Sequence, residues 1–174
     1  MSVTRHIFLA TLALSTLVLS ACQDAPRQAD ASGSASAPRT ATSAGTLTDP
    51  ASGANCAGQD LRITSDGFSL VIEGECGHVV VTGSNGALNV DRAASIRVEG
   101  DQVTVLNTQV GDVVVTGHDN ILNLTVAGPL AVEGDRNTVL AREIAAVAFR
   151  GIGNTVNPDN APALDDQGTG NRLL

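Results

Sequence analysis

The hydrophobic positions of this chain follow two nested periods. Within short stretches, apolar and polar residues alternate, and most apolar residues are Val, Ile or Leu. A longer, 17-residue period is marked by glycines at Gly83, Gly100, Gly117, Gly134, Gly151 and Gly168. Apolar residues keep the same phase four positions before and five after each glycine, and two positions before each of the first five. Alternation without any helical pattern between the repeats indicates strands.

Strands that repeat in this way predict an all-β fold, a single-chain parallel β-solenoid of about six 17-residue coils. A single strand cannot bury its apolar face, whereas stacked coils bury it and pair the strand edges. At the usual strand spacing, six coils would make a rod about 29 Å tall. A β-sandwich is the alternative, but a sandwich of this length usually carries more aromatics than the three Phe residues present.

Two features of the repeat carry structural predictions. Each glycine is interpreted as a sharp turn, where a positive φ angle costs little. An asparagine column follows three positions later, at Asn120, Asn137, Asn154 and Asn171. We expect these amide side chains to bond from coil to coil. Gly86 and Val103 occupy the same position in two earlier coils, so the column should be interrupted there.

The stretch VEGDQVTVL at 98–106 returns as VEGDRNTVL at 132–140, and residues 78–111 match residues 112–145 at 15 of 34 positions. This indicates duplication of a coil pair, which builds a scaffold and implies no chemistry. VEGDRNTVL and FRGIGNTVN, with paired cysteines near the start of the domain, resemble a bacterial domain family of unknown function with Gly-x-x-Asn-x-Val repeats. Members of that family occur in secreted proteins and lipoproteins. The resemblance covers about residues 56–157 and implies no catalytic residues.

The beginning of the chain predicts export and a lipid anchor. Residues 7–19 form a largely apolar run, which suits a signal peptide and is short for a membrane span. Leu19-Ser20-Ala21-Cys22 resembles a bacterial lipobox, so residues 1–21 are predicted to be a lipoprotein signal peptide and Cys22 the lipidated residue. An ordinary signal peptide is the alternative. In such lipoproteins, Asp directly after the Cys would indicate retention in the inner membrane. Gln23 occupies that position here, so the predicted location is the outer membrane, facing the periplasm.

Composition divides the rest of the chain. Residues 22–55 are predicted to be the lipidated Cys and a flexible Ala/Ser/Pro/Thr tether, with folding onto the domain as the alternative. Residues 56–174 are predicted to be the solenoid. The net charge is −8 and the chain has no Lys, so nucleic acid is not an expected partner. We expect a monomer without cofactors, held at the membrane through the lipid on Cys22.

Cys56 and Cys76 are predicted to form a disulfide, because an exported chain matures under oxidising conditions. The spacing between them is longer than one repeat, and Gly67 stands one position out of phase, so the first coil should be irregular. A redox role is the alternative, although it would usually employ a closer pair such as Cys-x-x-Cys.

Two groups of residues are candidate sites. The first is Asp101, His118 and Asp135, which follow successive glycines and would stack as a column. A metal site is the weaker interpretation, because three ligands in a straight column surround a metal poorly; a solvated turn is preferred, and no metal is predicted. The second is an outward apolar stripe three positions before the glycines, which suggests contact with a protein. It comprises Val80, Val114, Ala131 and Ala148, with Arg97 interrupting it. A mixed surface is the alternative.

The functional prediction is a non-enzymatic cell-envelope lipoprotein, a β-solenoid that binds an envelope protein or serves as a structural spacer. The alternative is a carbohydrate-binding or carbohydrate-active β-helix. That alternative rests on fold analogy. The chain has no Trp or Tyr to form a sugar platform, and its acidic residues recur with the repeat instead of forming a singular catalytic pair.

Overall fold

The structure, a computed structural model, describes residues 45–174 and is all-β, as the sequence predicts. Its strands belong to one sheet in which every pairing is parallel. They are β1 Thr46–Thr48, β2 Asp60–Ile63, β3 Ser69–Val81, β4 Ala87–Val98, β5 Thr104–Val115, β6 Ile121–Val132, β7 Thr138–Phe149, β8 Thr155–Pro158, β9 Ala163–Asp166 and β10 Arg172–Leu173. The predicted signal peptide, Cys22 and the tether up to residue 44 lie outside the described residues.

The part of the chain that the structure describes contains no helix long and apolar enough to cross a membrane.

The 17-residue period is confirmed as the number of residues in one coil. Val79 pairs with Ile96, and Ile96 pairs with Val113, so each partner lies one period further along the chain. The apolar columns face inward and form one continuous core. Phe149 is fully buried near the end of that core. The alternation in the sequence therefore reports which side chains face the interior.

The solenoid has about eight turns instead of six, and it begins before residue 56. Thr46 pairs with Asp60 at a separation of 14, and Leu61 pairs with Val79 at a separation of 18. The sequence pattern did not predict these two early coils, because their partners are not 17 residues apart. The predicted boundary between tether and domain therefore moves: residues 45–55 are part of the first turn, and Leu47 packs against the core. The alternative to a flexible tether was that the segment folds onto the domain. Residues 45–55 follow that alternative.

The first complete strand, β3, contains the predicted irregularity. Ile72 pairs with Val90 at a separation of 18, whereas Glu75 pairs with Arg92 at a separation of 17. The register shift between them contains Gly74, whose φ of 80° lies in the left-handed region. A bulge of this kind absorbs one extra residue and restores the phase of the repeat.

The repeated glycines are needed for space and not for positive φ, which corrects the turn interpretation. Gly100 and its equivalents do not have positive φ. A Cβ added to Gly117 would collide with the carbonyl oxygen of Gly100 one coil earlier. The left-handed residues come two positions later, for example Gln102 and Asp119 at φ 55° and 56°. The glycine thus permits close backbone contact between stacked turns.

The last coil is incomplete. β9 pairs with β7, and β10 pairs with β8 through Leu173 and Val156. Between β8 and β9, the Asn160 side chain bonds both the N–H and the C=O of Ile144, at 3.0 and 2.9 Å, in place of a strand. Leu164 occupies the inward column but remains 51% exposed, because no described coil covers it.

Candidate functional site

The column of Asp101, His118 and Asp135 links successive turns. His118 N–H donates to Asp101 Oδ1 at 2.7 Å, and Asp135 N–H donates to His118 Nδ1 at 3.2 Å. Asp135 Oδ1 in turn accepts the N–H of Ile152 at 2.8 Å. Each side chain therefore provides an acceptor for the backbone of the next coil.

No cluster of three or more His, Cys, Asp or Glu side chains arranged to hold a metal ion occurs between residues 45 and 174. His118 Nδ1 lies 3.8 Å from Asp135 Oδ2, and both side chains are partly exposed to solvent. The geometry suits a hydrogen-bonded turn.

The asparagine column forms a buried ladder. Asn137 Oδ1 accepts the backbone N–H of Asn120 at 2.9 Å, and Asn154 Oδ1 accepts that of Asn137 at 2.8 Å. Asn137 Nδ2 donates to Gly117 O at 2.9 Å and to Asn154 Oδ1 at 3.1 Å. Asn171 repeats these contacts at the end of the chain. The ladder satisfies turn backbone that lies too deep for water.

The ladder begins where the repeat departs from its pattern. Asn120 Oδ1 accepts the N–H of Val103 at 2.8 Å, so Asn120 joins a coil that has no Asn to the coils that do. Asn120 Nδ2 is buried without a hydrogen-bond partner among the described residues. The side chains of the ladder therefore join neighbouring turns of the scaffold.

The disulfide between Cys56 and Cys76 is present, and both residues are buried. Their Cα atoms are 5.0 Å apart, and the bridge joins the first turn to β3 close to the bulge. Burial withholds the sulfur atoms from an external thiol. The position favours a structural bridge.

An open apolar groove of about 540 Å³ lies on the outer face of the later coils. Val114, Ala131 and Ala148 from the predicted stripe line it, in consecutive register on β5, β6 and β7. The remaining stripe residue, Val80, lies two turns away beyond Arg97. The groove therefore unites three of the four stripe residues.

A second column completes the groove and was missed from the sequence. Pro129 and Ala146 each lie two residues before a stripe residue on the same strand, and Ala163 pairs with Ala146 one coil later. Small side chains in both columns make this part of the face concave. The signal in the sequence was the position five before each glycine, which reads His78, Ser95 and Asp112 in the earlier coils and turns apolar only later.

Two carboxylates stand at the ends of the groove. Asp165 bonds Arg150 Nη2 at 2.6 Å, and this hydrogen bond, the largest influence, lowers the pKa of Asp165 below its ordinary value of 3.8. Asp112 lines the opposite end and makes no side-chain hydrogen bond or ion pair with residues 45–174. The groove is thus apolar along its length and carries one unpaired negative charge.

The family described as "Protein of unknown function (DUF3060)" matches residues 115–170. That segment covers β6 to β9 and much of the groove. No curated protein matches the chain. No solved structure matches it either. The chain is thus similar, over its later coils, to a domain family to which no activity is attached.

Proposed function

We propose that this protein is a lipid-anchored, non-enzymatic component of a bacterial cell envelope that binds a protein partner through the apolar groove. The observation that carries the proposal is the groove itself, in which Val114, Ala131 and Ala148 align on consecutive turns. Apolar concavities on soluble surfaces are typical of contact sites. The lipobox-like sequence ending in Cys22 supports the anchor, and the outer membrane facing the periplasm is the proposed location.

Site-specific photo-crosslinking in intact cells tests the binding role. A photoreactive residue replaces Ala131 in the full-length chain, and the matched control replaces Asn123, which lies on the same strand outside the groove. Position 131 should yield a protein adduct that position 123 does not. If position 131 yields no protein adduct, or if both positions give the same adducts, the proposed function is wrong.

The anchor is tested separately with Cys22→Ser. The variant should lose lipid attachment and leave the membrane fraction, because the thiol that would carry the lipid is gone. Mass spectrometry of the N-terminal peptide and detergent partitioning measure the result. A Cys22→Ser protein that still carries lipid would contradict the anchor while leaving the binding test intact.

A further inference from the structure

The length of the groove limits what can occupy it. It extends over four turns, marked by Val113, Leu130, Val147 and Leu164. At about 4.8 Å per turn, three steps span roughly 14 Å, and adjacent outward columns stand about 7 Å apart. The footprint is therefore on the order of 100–200 Å². A stable dimer buries about 800 Å² on each partner, so a second folded copy would need far more surface than the groove provides.

A single extended segment fits the same dimensions. At about 3.3 Å per residue, roughly five residues span 14 Å. Ala131 and Ala148 leave space above the backbone that Leu, Ile or Val side chains from such a segment would fill. Neighbouring Pro129 and Ala146 widen this space without adding a polar group. The groove therefore favours a short segment with apolar side chains.

Charge adds a second requirement. The charged residues that line the groove are Asp112 and Asp165, and Arg150 already pairs with Asp165. Arg97 lies one turn before Val114 and does not line the groove or form an ion pair within the described chain. Asp112 is therefore the carboxylate available to a ligand, in a chain whose net charge is −8.

Resting on the proposed function, we propose that the partner segment is a short extended peptide with apolar side chains and a Lys or Arg that pairs with Asp112. The apolar side chains pack on Ala131 and Ala148, and the basic residue lies at the end of the groove nearest β5. Complementary charge of this kind selects the partner and fixes the direction in which the segment lies. An acidic or wholly polar segment would not satisfy the site.

The test uses the full-length chain with the photoreactive residue at position 131. Adducts formed in intact cells are digested, and the crosslinked peptide is sequenced. The expected segment contains at least two apolar side chains and a Lys or Arg within the short stretch that the groove can hold. A protein adduct whose segment is acidic or lacks apolar residues would overturn the inference but not the proposed function. An adduct with a second copy of this chain would overturn it as well.

Two substitutions at Asp112 examine the charge. Asp112→Asn should lower the crosslinking yield about three- to tenfold, and Asp112→Lys should lower it further, since exposed and partly desolvated ion pairs contribute in this range. Exchanging the basic residue of the segment for Glu should restore the yield with Asp112→Lys. Asp91→Asn, which changes another exposed carboxylate outside the groove, is the matched control. If neither Asp112 substitution changes the crosslinking yield, the proposed role of the charge is wrong.

Discussion

At the residue scale, the solenoid is held by side chains that replace missing backbone partners. Asn137 is 1% exposed and bonds both the preceding and the following turn. Ser84 plays a related part at the surface, where its hydroxyl accepts the N–H of Asp101 at 3.0 Å. Columns of equivalent side chains thus stabilise the turns, where regular strand pairing ends.

Removing one member of the buried ladder should be costly. Asn137→Ala leaves the N–H of Asn120 and the carbonyl of Gly117 without their side-chain partner. We expect a loss of about 2–3 kcal/mol in the free energy of unfolding, because buried polar groups would lack hydrogen bonds. Asn89→Ala, at an exposed position, should stay within about 0.5 kcal/mol. Urea unfolding measures both, and equal losses would contradict the role of the ladder.

Surface carboxylates predict a decline in stability in acid. Arg136 bonds Asp119 at 2.8 Å through two nitrogens, and this hydrogen bond lowers the pKa of Asp119 below its ordinary value of 3.8. A lowered pKa in the folded state contributes stability above the ordinary value, and that contribution is lost as the pH falls through the lowered pKa. The Tm difference between the natural protein and Asp119→Asn should therefore shrink as the pH falls below that ordinary value.

Differential scanning calorimetry from neutral pH into strong acid tests this pH dependence. The pKa of Asp165 is lowered in the same direction, chiefly by its hydrogen bond with Arg150, and so serves as an independent comparison. Asp112→Asn is the control, because Asp112 has no ion-pair partner among the described residues. A difference between Asp119→Asn and the natural protein that stays constant across the range would contradict the ion pair.

At the scale of elements, long strands continue around the corners of each coil. β4 to β7 each contain 12 residues and pair over most of their length with the strands before and after. The early strands β1 and β2 are short, and their spacing is irregular. The disulfide lies where the irregular turns meet the regular ones.

The disulfide should therefore matter most for the first turns. Cys76→Ser removes a bridge between positions separated by 20 in the sequence. The chain-entropy estimate for a loop of this size is about 3 kcal/mol. Hydrogen exchange should show faster exchange in β1 and β2 and little change in β6 and β7. Uniform acceleration across all strands would show that the first turns do not unfold separately.

At the scale of the whole molecule, the two ends differ. The first turn is linked by the disulfide, whereas the last turn leaves Leu164 and Leu174 exposed by 51% and 66%. Asp165 bonds Arg150, and Asp166 accepts hydrogen bonds from Gly168 N–H and Asn171 Nδ2. Asp165 is therefore held by the preceding coil, and Asp166 is held by its own coil. Open strand ends of this kind invite pairing with another chain unless they are protected.

The final segment should protect the core. Deleting residues 168–174 removes β10 from β8 and uncovers Val156, which is fully buried in the intact chain. We expect a lower Tm and aggregation, while the intact protein stays monomeric. Light scattering on both forms checks this expectation. A truncated chain that is soluble, monomeric and equally stable would show that the segment contributes nothing to the solenoid.

The sequence by itself determined the class of fold, because a strict 17-residue period in buried positions leaves few other ways to hide its apolar columns. It also identified the disulfide pair and the outward stripe. Only the tertiary structure decided the two early turns, since pairings at separations of 14 and 18 break the period without breaking the sheet. It likewise decided the role of the glycines, because the closeness of Gly117 to Gly100 depends on stacking. The groove follows the same logic: Val114, Ala131 and Ala148 become neighbours only when separate coils lie side by side.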